Sequence, residues 1–261
     1  MDHQLVNRQI LVKIFNIYFF IYIYMEFFEY TLFSKGHDGC IISPGIIEKS
    51  KDPSLYLTKI GSSKDIENEY KIYGSLPDEF DGIIYNKECY IYNFNQKDYS
   101  LDKPCQQRIE QKSKLNIIYD KMITIKRFFG TDLSKILYKK IDINKKDIYY
   151  LLKKLCMLYR CVEKLNSKYC IFHRDITSHN ILYDIKLRKI CLVDFIQSRQ
   201  YFPPKTRPHH LPEKDLDDII DVTNTIIEFT NKRFGTDLKF INKISDIEKN
   251  KEHIKIQLKH N

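Results

Sequence analysis

Two short runs hold a spaced set of reactive side chains: HRDITSHN, residues 173–180, and VDF, residues 193–195. Transfer of a phosphoryl group from a magnesium-bound donor needs one carboxylate to orient the attacking hydroxyl and take its proton. It also needs a second carboxylate, with an amide oxygen, to hold the metal against the phosphates. Asp175, Asp194 and Asn180 are the residue types for these three tasks. The first run follows a long helical pattern and the second ends a short apolar run, so both fall where a rigid scaffold can aim loop side chains.

The elements that must do this positioning are legible from periodicity. Residues 145–166 read as a long helix, with Ile148, Leu151, Leu152, Leu155, Leu158, Tyr159 and Val162 forming an apolar stripe. Cys170–Phe172 and Ile190–Val193 are strands on either side of the polar run. Asp132–Tyr138 is a short helix, and Asp215–Phe229 and Ser245–His260 are two more. Upstream, residues 26–33, 40–47 and 55–60 read as strands. Ser63 is placed to cap a helix carrying Ile66, Glu69, Tyr70 and Tyr73, and residues 82–94 and 117–128 read as further strands. There are no internal repeats. A strand-rich first half and a helical second half predict an α+β chain with two lobes and a cleft.

Composition narrows the class without naming a partner. The 261 residues carry a net charge of +9, yet Lys and Arg are interleaved with acids and form no dense run, so no nucleic acid partner is expected. Seven cysteines without a CxxC pair argue against both a zinc site and a closed disulfide framework, and favour a reducing, cytoplasmic compartment. Residues 10–24 are almost wholly apolar but are broken by Lys13 and Asn16, and fall short of the roughly 20 residues a bilayer span needs. Residues 1–24 are read as an upstream extension of a domain starting at Met25, with a weak membrane anchor as the alternative.

The spacing HRD, four residues, Asn, then DF fourteen positions on, led by EKLNSKYCIFHRDI, resembles the catalytic and metal-binding loops of eukaryotic-type protein kinases. That resemblance implies a catalytic base at Asp175, a magnesium ligand at Asn180 and a metal-bridging carboxylate at Asp194. His173 would be structural, and Arg174 would meet a charge in the activation segment. In SKGHDGCI, Gly36 and Gly39 match the second and third glycines of the phosphate-covering hairpin, and Ile41 the apolar residue on the adenine. Lys59 matches the strand lysine of the α- and β-phosphates. Glu69 is its helix partner, with Glu67 the runner-up because it points ~160° away. Residues 126–128 match the interlobe connector, Asp132 lies near the ribose or simply caps a helix, and Asp218 matches a supporting acid that grips the catalytic-loop backbone.

The departures are specific. Ile196 stands where the family has Gly after Asp-Phe, and Thr177 where serine/threonine kinases have Lys. The segment 197–213 is short, and Leu211-Pro212-Glu213 only faintly echoes the motif that closes it. Ser198, Tyr201 and Thr206 are candidates for regulation. The trimmed lobes and the GxxGC loop are similar to the compact serine/threonine kinases of large cytoplasmic DNA viruses, which places such a chain in the host cytoplasm or virion. The resemblance therefore implies a two-lobed fold, with residues 25–126 as the β-rich lobe and 127–261 as a shortened helical lobe. It further implies ATP and Mg2+ as cofactors, and a protein substrate offering Ser or Thr. A pseudokinase binding module and a small-molecule or lipid phosphotransferase remain the alternatives.

Overall fold

The computed structural model describes residues 31–36, 39–48, 50–80, 83, 88–138, 141–201 and 211–257. The extension 1–24, His37–Asp38, most of the run 81–87 and the segment 202–210 with Thr206 lie outside them. The chain is mixed α+β and divides into two compact units. One comprises residues up to Ser63 together with Ile91–Thr124, the other Lys64–Tyr90 together with Ile125 onward.

The first unit is built on a five-stranded sheet. Its strands are β1 (Thr31–Gly36), β2 (Gly39–Ser43), β3 (Tyr56–Gly61), β4 (Cys89–Asn93) and β5 (Lys121–Lys126), in the order β1-β2-β3-β5-β4. β1 and β2 form an antiparallel hairpin in which Gly36 faces Gly39, and β2 pairs antiparallel with β3. Cys40, Ile42, Ile60, Phe94, Leu101, Cys105, Ile109, Tyr119 and Met122 make one apolar cluster there. On the same sheet Thr58 and Thr124 are fully buried, and each hydroxyl is satisfied. Thr58 Oγ1 accepts from Ile46 N at 2.7 Å and lies 2.7 Å from Thr124 Oγ1, which donates to Ile46 O at 2.6 Å. The circuit fixes the 46–47 segment against the sheet without leaving an unpaired polar atom, which would cost about 1–3 kcal/mol.

Between β4 and β5 runs a helix that the sequence reading omits, Lys103–Lys114. Asp102 caps it by accepting from Cys105 N at 3.0 Å, Pro104 sits in its first turn, and Cys105 and Ile109, four residues apart, are its buried face. A disulfide joins Cys105 to Cys40 of β2. The odd cysteine count thus yields one bond and no framework, and Cys89, Cys156, Cys161, Cys170 and Cys191 are outside any disulfide.

The second unit contains helix α1 (Ser63–Ser75, from Lys64 on), and the helix just described is α2. Its further helices are α3 (Leu133–Leu137), α4 (Lys145–Lys168), α5 (Leu211–Phe234) and α6 (Ile244–Gln257). α4 opens with a reciprocal cap in which Asn144 Oδ1 accepts from Asp147 N at 2.9 Å while the Asp147 carboxylate accepts from Asn144 N. Ile148, Leu151, Leu152, Leu155, Leu158, Tyr159 and Val162, the stripe read from periodicity, are all buried along it, and Leu165 extends it. α5 and α6 pack on this stripe. Ile219, Ile226 and Ile227 contribute from α5 and Ile247 from α6, each side chain adding roughly 1.5–3 kcal/mol of apolar burial. The connection from α5 to α6 is held by asparagines. Asn224 exchanges two hydrogen bonds with the Ile241 backbone, and Asn250 does the same with Lys239.

Two small sheets carry the polar runs. β7 (Ile171–Phe172) pairs antiparallel with β10 (Arg199–Gln200). β6 (Thr131–Asp132), β8 (Ile181–Asp184) and β9 (Lys189–Leu192) form the other in the order β6-β8-β9, with Ile181 opposite Leu192. β6, β8 and β10 are strands that the sequence reading lacks. Among the described residues no helix is long and apolar enough to cross a membrane.

Candidate functional site

The loop from His173 to Asn180 leaves β7 and returns into β8, and its shape is set by buried polar contacts. Asp215, 1 % exposed near the start of α5, accepts from His173 N at Oδ2 and from Arg174 N at Oδ1, both at 2.8 Å. Asn166, its amide oriented by its neighbours, adds a donor to Asp215 Oδ2 at 3.2 Å and one to Ile171 O at 2.7 Å. Asp218, the acid expected there, meets the Ile176 amide of the same loop, and its burial raises its pKa. Asp215, three residues earlier and unremarked in the sequence, shares this task by holding the start of the loop. Arg174 adopts φ 70°, a left-handed conformation that a pinned turn can enforce on a non-glycine residue.

His173 is fully buried. Its Nδ1 accepts from Asp175 N at 3.3 Å, so the ring proton resides on Nε2, which donates to Val193 O at 3.0 Å. Burial lowers its pKa, against the opposing pull of Asp215, Val193 O, Asp194 and Asp175. One neutral imidazole thus ties the loop containing Asp175 to the residue preceding Asp194. Its ring lies 4.6 Å from that of Phe195, and Phe195 lies 5.5 Å from Tyr73 of α1, both edge-on.

Asp175 and Asn180 are in direct contact. Asn180 Nδ2 donates to Asp175 O at 2.9 Å and to Asp175 Oδ2 at 3.0 Å. With both N–H groups facing oxygens, the amide orientation is fixed and its Oδ1 faces elsewhere. Asn180 is also joined to the Asp194 strand, because its carbonyl accepts from Val193 N at 2.9 Å. Asp194 itself is left-handed, φ 68° and ψ 68°, and starts a short turn over Phe195–Gln197. The three residues singled out by spacing therefore lie on one hydrogen-bonded assembly. No group of three His, Cys, Asp or Glu side chains able to hold a metal occurs among the described residues.

Glu69, 1 % exposed on α1, accepts at Oε1 from Phe195 N at 3.2 Å and from Tyr73 OH at 2.7 Å. Glu67, the runner-up, is only half-buried. Asp132 is the N-cap of α3. Its Oδ1 accepts from Ser134 Oγ and from Lys135 N at 3.1 Å, and Lys135 Nζ lies 3.0 Å from Oδ2. Burial alone would raise its pKa, but the hydrogen bonds from Ser134 and Lys135 outweigh it and hold the carboxyl lower. Ser134 N donates to Ser178 O at 3.1 Å, so this cap borders the loop of Asp175. Lys126, the last residue of β5, is paired with Glu88 at 3.2 Å.

In the first unit, Ile41 and Lys59 are direct partners across β2 and β3, so their side chains share a face. Lys59 is 5 % exposed, an uncommon setting for a lysine. Gly36 and Gly39 close the neighbouring hairpin.

Two residues differ in role from their sequence reading, and a third had none. Ser198, a candidate for regulation, is fully buried and donates to His173 O at 3.2 Å, so no modifying enzyme reaches it in this conformation. Ser63 does not cap α1 with its own oxygen. Its backbone N and its Oγ both donate to Asp120, at 2.8 Å and 2.7 Å. Asn166, unremarked in the sequence, supports Asp215 from within α4. No family model and no curated protein matches this chain.

Proposed function

We propose that this chain is an ATP- and magnesium-dependent protein kinase, with a two-lobed, kinase-like fold and a shortened helical lobe, that phosphorylates Ser or Thr hydroxyls of protein substrates. The observation that carries the reading is the Asp175–Asn180 pair joined through Val193 to Asp194, the three residues whose spacing first suggested phosphoryl transfer. Asp194 with Asn180 Oδ1 offers hard oxygen ligands, a donor set that fits Mg2+ when substrate phosphates and water complete the shell. Bound there, the ion would supply the positive charge that neutralises the transferring phosphoryl group.

The chain's own residues then do the following. Asp175, steadied at Oδ2 by Asn180, orients the substrate hydroxyl and takes its proton on Oδ1. The hydroxyl oxygen bonds to the γ-phosphorus as the bond from phosphorus to the bridging oxygen breaks, and ADP leaves with that electron pair. Lys59 is assigned to the α- and β-phosphates, the Gly36–Gly39 hairpin to covering them, and Ile41 to the adenine face. Asp132 is assigned to shaping the loop through α3, its carboxylate being occupied as a cap, and Glu69 to fixing the turn after Asp194. Rate acceleration rests on positioning and fixed charge.

A binding module without turnover is the second reading. It is favoured by one observation, the buried Ile196 in the turn after Asp194 where mobility would call for Gly. Incubating the protein with radiolabelled ATP, Mg2+ and mixed Ser/Thr peptides separates the two. Transfer in the wild type that is lost in Asp194→Asn supports the kinase; ATP binding without transfer supports the module.

A further inference from the structure

Helix α1 hydrogen-bonds the backbone of the turn after Asp194 through two adjacent side chains, and only one of them has been given a role. Asn68 Nδ2 donates to Ile196 O at 2.9 Å and to Ser198 O at 3.0 Å. Its neighbour Glu69 accepts from Phe195 N at 3.2 Å. A helix offset of about 100° lets consecutive residues straddle a segment, one presenting donors and the other an acceptor. Together they read Phe195 N–H, Ile196 C=O and Ser198 C=O, so the helix grips three backbone groups of one turn and needs no particular side chain there.

The rest of the turn is held from the opposite side. Ser198 N donates to Phe195 O at 3.0 Å, and Ser198 Oγ donates to His173 O at 3.2 Å. Ser198 O also accepts from Arg199 Nη1 at 2.8 Å, which leaves the Ile196 carbonyl as the contact that depends most on Asn68. That carbonyl belongs to the residue two positions past Asp194, whose own left-handed backbone is poorly populated unless its surroundings impose it.

We infer that Asn68 is a positioning residue that sets Asp194 for phosphoryl transfer by clamping the Phe195–Ser198 turn to helix α1; the catalytic half of this rests on the kinase reading. The residue type matters because two carbonyls can be met only by a donor pair. Asp is nearly isosteric with Asn but, ionised, presents acceptors to acceptors. Gln keeps the donors on an arm one carbon longer.

The full-length chain is compared with Asn68→Asp, Asn68→Ala and Asn68→Gln. Deuterium uptake over the peptide spanning 194–200 is read first, because it is independent of turnover. Magnesium-dependent transfer from ATP to peptide is read second, as kcat, the KM for ATP and the half-saturating Mg2+ concentration. Asn68→Asp and Asn68→Ala are expected to speed exchange in that peptide alone. They should lower kcat about ten- to hundred-fold and raise the Mg2+ requirement, with the KM for ATP at saturating Mg2+ within about twofold. Asn68→Gln should recover part of both. If Asn68→Asp fails to fold, the alanine and glutamine variants carry the comparison. Exchange and Mg2+ dependence indistinguishable from wild type overturn the clamp. A wild type without transfer overturns the catalytic role and the kinase reading, while the exchange data still decide whether Asn68 holds the turn.

Discussion

Asn180 gives both of its amide N–H groups to Asp175, one to the carbonyl at 2.9 Å and one to carboxylate Oδ2 at 3.0 Å. The amide therefore has two tasks in the proposed reaction. Its nitrogen steadies the base, and its oxygen would be a ligand for a bound Mg2+. Asn180→Ala removes both, and transfer is expected to fall about 10²–10³-fold, comparable to loss of a preorganised electrostatic group. Stability should fall by only about 1–2 kcal/mol, the worth of two hydrogen bonds in a half-buried place. Initial rates beside a urea denaturation curve check both; a variant within threefold of wild-type rate contradicts the assignment.

Asp215 and Asp218 lie one turn apart on α5, yet they are expected to differ sharply. Asp215→Ala leaves the His173 and Arg174 amides without their charged acceptor inside the protein, costing about 3–5 kcal/mol. Asp218→Ala should cost less than about 1.5 kcal/mol, a single hydrogen bond. Denaturation midpoints at neutral pH decide it, and equal losses would contradict the geometry.

Buried and neutral, His173 makes stability depend on pH. Its folded pKa lies below the ordinary value near 6.5, so the unfolded chain binds the proton more readily. The contribution is present above pH 6.5 and is lost as pH falls from there toward the folded pKa. The slope reaches at most about 1.4 kcal/mol per pH unit. Between pH 7 and 5, His173→Phe should lose stability less steeply than wild type. Parallel curves would mean that folding leaves the imidazole pKa unshifted.

Asp132 acts as a helix cap in the structure. Asp132→Ala should therefore lower stability by about 1 kcal/mol, the usual worth of a cap, with Asp132→Asn largely preserving it. Thermal melts at one pH suffice, and an unchanged midpoint in the alanine variant contradicts the capping role.

Much of the candidate site was legible because its chemistry is local. HRDITSHN and VDF are short, and the 3.6-residue stripe from Ile148 to Val162 announces the helix that delivers the first of them. What was not legible depends on register and on partners far along the chain. Asp215, Asp217 and Asp218 crowd one stretch, and periodicity places 215 and 218 on the same face, so only the fold selects Asp215. α2 escaped notice because ten of its twelve residues are not buried, and its signals, the Asp102 cap and Pro104, are easily taken for a loop. Asn68 sits beside the more conspicuous Glu69, and its partners lie 128 and 130 residues away. β8 went unread because Ile181–Asp184 is four residues long and follows directly from the polar loop.

The most direct test is transfer of the γ-phosphate from magnesium ATP to a Ser/Thr peptide pool, measured for wild type and Asp175→Ala at equal nucleotide occupancy. Label incorporation by the wild type, a loss of at least about 10³-fold in the variant and retained ATP binding are the expected results. Equal incorporation by the two proteins would contradict the account.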